Sequence, residues 1–484
     1  MHVSAVRTKS GALVSSAGVF MSAFLWLLSF KAVAWWLGPE GVGLFSQLRQ
    51  IVQAATVGAT FGGTNAVVQG LAERTDETAR RQFRASSSRA IALAALLVAG
   101  LMVAAAPALA QFFLSSAAPG LVATLRWIGL AVLLNVCATY ALAVLNGYRS
   151  YPYMALAQIA GPAALVLVLA AAWHLNLPPD PRFLAASFVV CFGLTCLLGG
   201  FGVSRLSTSA PQHAPGVLSP EQLGAFLKFA FSNLVAALSA TVALLLIRSW
   251  VIEANGLAFA GFFDAGWTLT FNYTTLFLTA CSVIYLPLLT AMSSPESQKN
   301  CMLKTAYLVL GASILVCHGM VLAKEFLITL LYSPQFQPSG QVLSILVIAV
   351  VLRGASWVYG TMLVATRNSR VLLISDLSLN LLLLATTRLA LDNFGTLEAL
   401  SWAFVLPNFA YLVFVVEYAR HKNQLMLRRR VWPIILAGTA PLLLLALLPQ
   451  WSPQAYLPVF KWICMLIGLT VGVTALLACK KMSL

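Results

Sequence analysis

Arg49 is the residue of this chain best placed to do chemistry, because it sits where a charge is expensive. It follows a short break, Leu37-Gly38-Pro39-Glu40-Gly41, and precedes an apolar run from Ile51 to Val68. At ~1.5 Å per residue it lies roughly 13 Å inside a segment long enough to cross a bilayer. A mid-membrane arginine costs about 2.5–3.5 kcal/mol on insertion scales, so it needs a wet cavity or a partner. Gln47 and Gln50 flank it, which makes the patch polar. Lys31, Arg248 and Arg353 are further basic residues placed within apolar runs. Lys and Arg donors held in a cavity of lowered dielectric bind phosphate or carboxylate oxygens strongly, so these four suit an anionic passenger.

Plainer roles compete for the same residues. Lys31 is near enough to a membrane surface to snorkel. Arg248 lies near the end of its run, placed for an interfacial role or a pair with Asp264. Asp264 and Asp376 are groups that change charge, as coupling to H+ or Na+ requires; Asp376, shortly past Arg370, better suits an ion pair at the interface. Asn65 and Asn272, with Asn135, Tyr273, Asn380 and Asn408, are side chains that line a sugar path or join helices. His174 and His318 suit packing. The 8 cysteines are scattered without a CxxC pair and read as small apolar filler. No metal-ligand cluster, nucleophile elbow or phosphate-binding Gly loop stands out, so no catalytic residue, metal or cofactor is assigned, and a non-enzyme is expected.

The elements that must position these side chains are membrane helices. The chain has 484 residues, 60% hydrophobic and 9% charged, with a mean hydropathy of +0.87. That excludes a soluble globular domain. The net charge of +16 is carried largely in short hydrophilic breaks on alternating sides, which marks topology and not nucleic-acid binding. Arg7 and Lys9 precede a long apolar stretch without a small-residue cleavage site, so the first helix is expected to be retained.

Apolar runs near 11–36, 42–70, 90–113, 123–146, 154–174 and 183–203 give six spans. A polar stretch, 204–226, carries Pro211, Pro215 and Pro220 and reads as a linker. Six more runs lie near 227–252, 263–290, 305–323, 341–366, 371–390 and 396–417, and two others near 431–449 and 456–478. The expected fold is an all-α integral membrane protein of about 14 transmembrane helices. Two parallel six-helix bundles, 1–203 and 227–425, would enclose a central cavity, with a cytoplasmic linker at 204–226 and two additional helices in 426–484. Arg74, Arg80, Arg81, Arg84 and Arg89, then Arg149, Arg205, Lys299, Arg367, Arg420 and Lys480, mark every second break as cytoplasmic. Both termini would then lie inside. Gly43 and Phe45 recur as Gly261 and Phe263 (261 − 43 = 218), and Arg149 recurs as Arg367 at the same offset. The offset spans an even number of helices, so the copies share one orientation, as in transporters built from parallel repeats.

Residues 31–50, Lys-Ala-Val-Ala-Trp-Trp-Leu-Gly-Pro-Glu-Gly-Val-Gly-Leu-Phe-Ser-Gln-Leu-Arg-Gln, resemble the start of Wzx-type polysaccharide flippases of the multidrug/oligosaccharidyl-lipid/polysaccharide exporter superfamily. Further similar segments are Leu227-Lys228-Phe229-Ala230, the run Cys281 to Leu289, Leu330 to Phe336 and Ala365 to Ser369. The resemblance covers roughly 8–425. It implies alternating-access movement of undecaprenyl-pyrophosphate-linked oligosaccharide, such as an O-antigen repeat unit, from the cytoplasmic to the periplasmic leaflet of the bacterial inner membrane. Lys31, Arg49, Arg248 and Arg353 would bind its pyrophosphate or acidic sugars. Membrane lipids and polysaccharide assembly proteins are the other expected partners.

Three rival readings remain. A multidrug exporter of the same superfamily would want buried acids where this chain has Lys31 and Arg248. A lipid II flippase also has fourteen helices and a cationic cavity, and is the nearest alternative. An O-antigen polymerase or ligase would carry a large periplasmic loop, and the outside breaks here are short.

Overall fold

In a lipid-like medium every backbone polar group must be satisfied within its own segment, and this chain meets that demand with helices. The computed structural model describes residues 2–62, 65–74, 76–206, 220–292, 294–365, 368–423, 428–447 and 457–482. Among them are α1 (His2–Ala59), α2 (Asn65–Ala72), α3 (Glu77–Ala104), α4 (Ala106–Leu114), α5 (Pro119–Gly147), α6 (Tyr151–His174), α7 (Pro181–Arg205) and α8 (Pro220–Trp267). A π-helical turn, Thr268–Asn272, leads into α9 (Tyr273–Ala291). Then follow α10 (Pro295–Leu322), α11 (Lys324–Leu331), α12 (Ser339–Ala365), α13 (Ser369–Asn393), α14 (Leu397–Asn423), α15 (Arg428–Leu447) and α16 (Leu457–Lys481). No strand occurs among the described residues.

Eleven described stretches are long and apolar enough to cross a membrane. Two are double-length: Val14–Ala59 has 46 residues and Ala237–Ala291 has 55. At ~1.5 Å per residue they reach about 70 and 80 Å, over twice a ~30 Å hydrocarbon core. Each is kinked at a glycine in a left-handed conformation, Gly38 (φ 65°, ψ −158°) and Gly256 (φ 82°, ψ 176°). Pro39 restarts the helix after Gly38, its missing N–H falling where no intrahelical partner exists. The expected break at 37–41 is therefore a kink and not a loop.

The two kinks stand one repeat offset apart, and the register holds along the chain. It carries the N-cap Asp76 of α3 to the N-cap Ser294 of α10. Each accepts a 3.1 Å hydrogen bond from the backbone N–H three residues on. It carries the break at Ala105 (φ −88°, ψ 8°) to the break at Ala323 (φ −96°, ψ 13°). It carries the last residue of α7, Arg205, to the last residue of α14, Asn423.

Several boundaries differ from the hydropathy reading. The second span was expected to reach 70, but α1 ends at Ala59, a turn at Thr60–Gly62 follows, and α2 is a separate short helix. The third span divides into α3 and α4 at Ala105, two residues before Pro107, whose ring cannot continue the ladder. The basic breaks holding Arg80, Arg81, Arg84 and Lys299 are helical, because α3 and α10 begin well before their apolar runs do. A polar helical turn costs nothing once it projects beyond the hydrocarbon.

The chain groups into two compact units, Met1–Ala258 and Phe259–Leu484. Most of the expected linker, 207–219, lies outside the described residues, as does Arg367. In the first unit α1 packs on α6 and α5 on α7. In the second, α12 is the buried axis, contacted by α10, α14 and α15, while α16 packs on α10.

Candidate functional site

The first unit gathers polar side chains around the second stretch of α1. Arg49 is half-buried, with its guanidinium carbon 4.6 Å from the Trp26 ring centroid and 5.5 Å from Phe30. Behind these rings lies a buried stack: Phe45 on Phe188 at 4.9 Å, and Phe188 on Phe192 at 5.9 Å. Aromatic faces offset part of a cation's desolvation, worth about 0.5–2 kcal/mol. Gln47 is fully buried; its Nε2 donates to Phe113 O (3.1 Å) and Ser249 Oγ (2.9 Å). Gln50 Nε2 donates to Thr241 O (3.0 Å), and Gln50 Oε1 accepts from Arg248 Nη1 (2.8 Å). The two glutamines expected as cavity lining thus tie α1 to α4 and α8. Asn135 is similar, donating to Thr56 Oγ1 at 2.9 Å.

Lys31 goes elsewhere. Its ammonium lies 4.6 Å over the ring of Trp35, which is 47% exposed and 5.2 Å from Trp173. A lysine on an exposed tryptophan pair is the arrangement of an interfacial anchor. Asn65 is exposed at the start of α2.

In the second unit, Asp264 is buried and accepts a long hydrogen bond (3.4 Å) from Thr268 Oγ1, which in turn accepts from Asn272 Nδ2 (3.4 Å). These three groups step along the last turn of α8 and the π-helical turn. Asp376 meets Tyr411, whose hydroxyl donates to its Oδ1 at 3.1 Å. The interfacial pairing of Asp376 with Arg370 that sequence suggested is replaced by this hydrogen bond between α13 and α14.

Arg353 is the telling residue. From Ile345 to Ser356 every residue of α12 is buried except Arg353, which is exposed. It is exposed to a cavity of about 300 Å³ that Ser282, Ser356, Trp357, Asp376 and Tyr411 also line. Among the described residues no hydrogen bond or ion pair joins Arg353 to a carboxylate, so cation and acid share a cavity without closing on each other. Sequence reading placed Arg353 and Asp376 as candidates but missed Tyr411 and Trp357, which carry no signal in an apolar helix. A second, apolar cavity of about 950 Å³ lies among α12, α13, α14 and α15, with Trp402, Phe409 and Trp432 on its walls. His318 is buried, its Nδ1 2.8 Å from Ile314 O. All 8 cysteines are free, and among the described residues no group of three His, Cys, Asp or Glu could hold a metal.

No family model matches the chain. A protein named Lipid III flippase from Escherichia coli (strain K12) is 24% identical over 378 residues, covering 77% of this chain and 89% of the relative. One of the same name from Shigella flexneri matches to the same extent. Among solved structures, an inward-facing multidrug resistance MATE family transporter of the MOP superfamily superposes with a TM-score of 0.71. It is 16% identical, with 83% of this chain and 94% of that one covered. The lipid II flippase MurJ, in an inward closed conformation, gives a TM-score of 0.67 at 14% identity, covering 96% and 98%. The chain has the fold of these transporters and is a multi-pass membrane protein.

Proposed function

We propose that the protein is a flippase that carries undecaprenyl-pyrophosphate-linked oligosaccharide from the cytoplasmic to the periplasmic leaflet of a bacterial inner membrane by alternating access. The observation that carries this is the sequence match to proteins named Lipid III flippase, which runs through three quarters of the chain. The charge pattern agrees with it. Arg49, Arg248 and Arg353 are cations within apolar helices, the sign an anionic pyrophosphate or acidic sugar requires. Lys31 is a weaker member of the set, held on Trp35. We read each double-length helix as two crossings and the apolar helix Val431–Leu447 as one more, which makes fourteen, with both termini cytoplasmic.

Asp264 and Asp376 are the groups that would take up H+ or Na+. An anion leaving a negative interior is already favoured, by about 2.3 kcal/mol per charge per 100 mV, so a coupling ion would serve the return of the empty carrier.

A lipid II flippase is the second reading, favoured by the coverage of 96% of this chain on a structure of that function, final helices included. The experiment that separates them uses proteoliposomes with fluorescent undecaprenyl-pyrophosphate oligosaccharide in one set and lipid II in another. Faster accessibility of the oligosaccharide from the opposite leaflet is the result expected. Movement of lipid II alone would install the second reading, and movement of neither would remove both.

A further inference from the structure

By the repeat register, the α8 stretch before Gly256 is the copy of the α1 stretch before Gly38, and so the first span of the second repeat. It nevertheless belongs to the first compact unit, which runs to Ala258. What ties it to α1 is narrow and polar: Gln47 to Ser249, Gln50 to the Thr241 carbonyl, and Arg248 to Gln50. We propose that this cluster is a releasable interlock, closed in the state seen here and opened in another state of the transport cycle, with Gln47 and Gln50 as its positioning residues.

Three observations argue for release and against a permanent joint. First, the bonds are individually weak. Interhelical hydrogen bonds in a bilayer bias an equilibrium by about threefold each, so three of them hold one state over another by roughly thirtyfold. Secondly, the closed state is imperfect. Gln47 Oε1 is buried without a hydrogen-bond partner, although the residue is fully enclosed. Turning the amide over would not mend this, because Nε2 is needed for two acceptors, Phe113 O and Ser249 Oγ. A buried orphan acceptor destabilises the arrangement that contains it and narrows the gap to any state that frees it. Thirdly, its two glutamines have no copies in the second repeat. The repeat places Ala265 and Thr268 where Gln47 and Gln50 stand, and Thr268 bonds within its own helix to Asp264. Glutamines that only the first repeat carries at these positions can bias a two-fold pseudosymmetric carrier toward one of its states. On release Ser249 gives up the bond it accepts from Gln47 but keeps one to its own helix, its hydroxyl donating to Leu245 O.

The inference rests on the transporter reading, and its test has a conformational arm that does not. Glu40 and Glu253, both exposed near the kinks, would be replaced by spin-labelled cysteines in the full chain, and the distance distribution measured in proteoliposomes. Two distances are expected, with Gln50→Leu moving the population several-fold toward the longer one. A single distance, unmoved by Gln50→Leu, would overturn the interlock whatever the substrate proves to be. In the second arm, Gln47→Cys/Ser249→Cys is compared with itself, oxidised and reduced, for translocation of fluorescent undecaprenyl-pyrophosphate oligosaccharide. Arrest on oxidation and recovery on reduction are expected. Equal rates in both forms would mean that the joint stays closed through the cycle and is merely structural. If the unmodified protein moves no such lipid, the substrate reading fails while the distance measurement still decides the interlock.

Discussion

Gly38 and Gly256 adopt the same left-handed, extended-ψ conformation, φ 65° and 82°, at equivalent points of two repeats. Each kinks a helical stretch of more than twice the length that a bilayer's hydrocarbon core requires. A side chain with a Cβ strains at such φ values, while at Gly256 a Cβ would meet nothing within 4 Å.

Strain without steric overlap should therefore be visible at Gly256 on its own. Gly256→Ala is expected to lower unfolding stability by about 1–2 kcal/mol, read as a lower midpoint in detergent. Gly38→Ala should cost a similar amount, and the double variant their sum if each loss is local backbone strain. An unchanged midpoint in all three would mean the kinks are not strained for L-residues.

Arg353 and its cavity should separate activity from stability. Arg353→Ala removes an exposed side chain from an otherwise buried helix, so the unfolding midpoint should stay within the equivalent of about 0.5 kcal/mol. Translocation should fall by about tenfold or more, the worth of a charge-assisted bond to an anion, and Arg353→Lys should recover part of it. Full activity in the alanine variant would make the charge incidental.

The Tyr411–Asp376 bond should show the opposite balance. Tyr411→Phe deletes the donor and is expected to cost about 1–2 kcal/mol of stability. Asp376→Asn keeps an acceptor oxygen for Tyr411 and should leave the midpoint near that of the parent while altering the response of turnover to an imposed ion gradient. Loss of stability in both variants alike would assign Asp376 to packing alone.

Gly468 seats α16 on α10. A Cβ there would lie 1.9 Å from His318 Nε2, and at Gly472 it would lie 2.6 Å from Leu315 Cγ. Gly468→Ala should destabilise by about 1–3 kcal/mol, the usual cost of overpacking. His318→Ala should relieve that penalty in the double variant, so a cycle of thermal midpoints gives a coupling of opposite sign to the single losses. Additive losses would show that the helices had already moved apart.

Orientation is testable without transport. Asp180, N-cap of α7, and Ser294, N-cap of α10, should report opposite faces of the membrane when carrying topology reporters, Asp180 outside and Ser294 inside. A common side for both would dismantle the alternation read from the arginines.

Much of this fold was legible in the chain itself. Long apolar runs have no choice in lipid but to be helical, and arginines resist translocation, so spans follow from composition. The repeat was legible too: the offset that relates Gly43 to Gly261 also relates Gly38 to Gly256, though only backbone angles show that both are kinks. What the sequence could not decide was direction. A helix that is apolar all round carries no periodic stripe to say which face looks inward. Gln47 and Gln50 read as cavity lining, and nothing in the sequence tells that their amides bond to Ser249 and Thr241, about two hundred residues away. Lys31 and Arg49 share α1 and a charge, yet one rests on an exposed tryptophan and the other against a buried aromatic stack. Arg353, Asp376 and Tyr411 come from three helices and meet only because α12, α13 and α14 pack together. In a bilayer that meeting is set by close packing and hydrogen bonds between helices, which no single helix encodes.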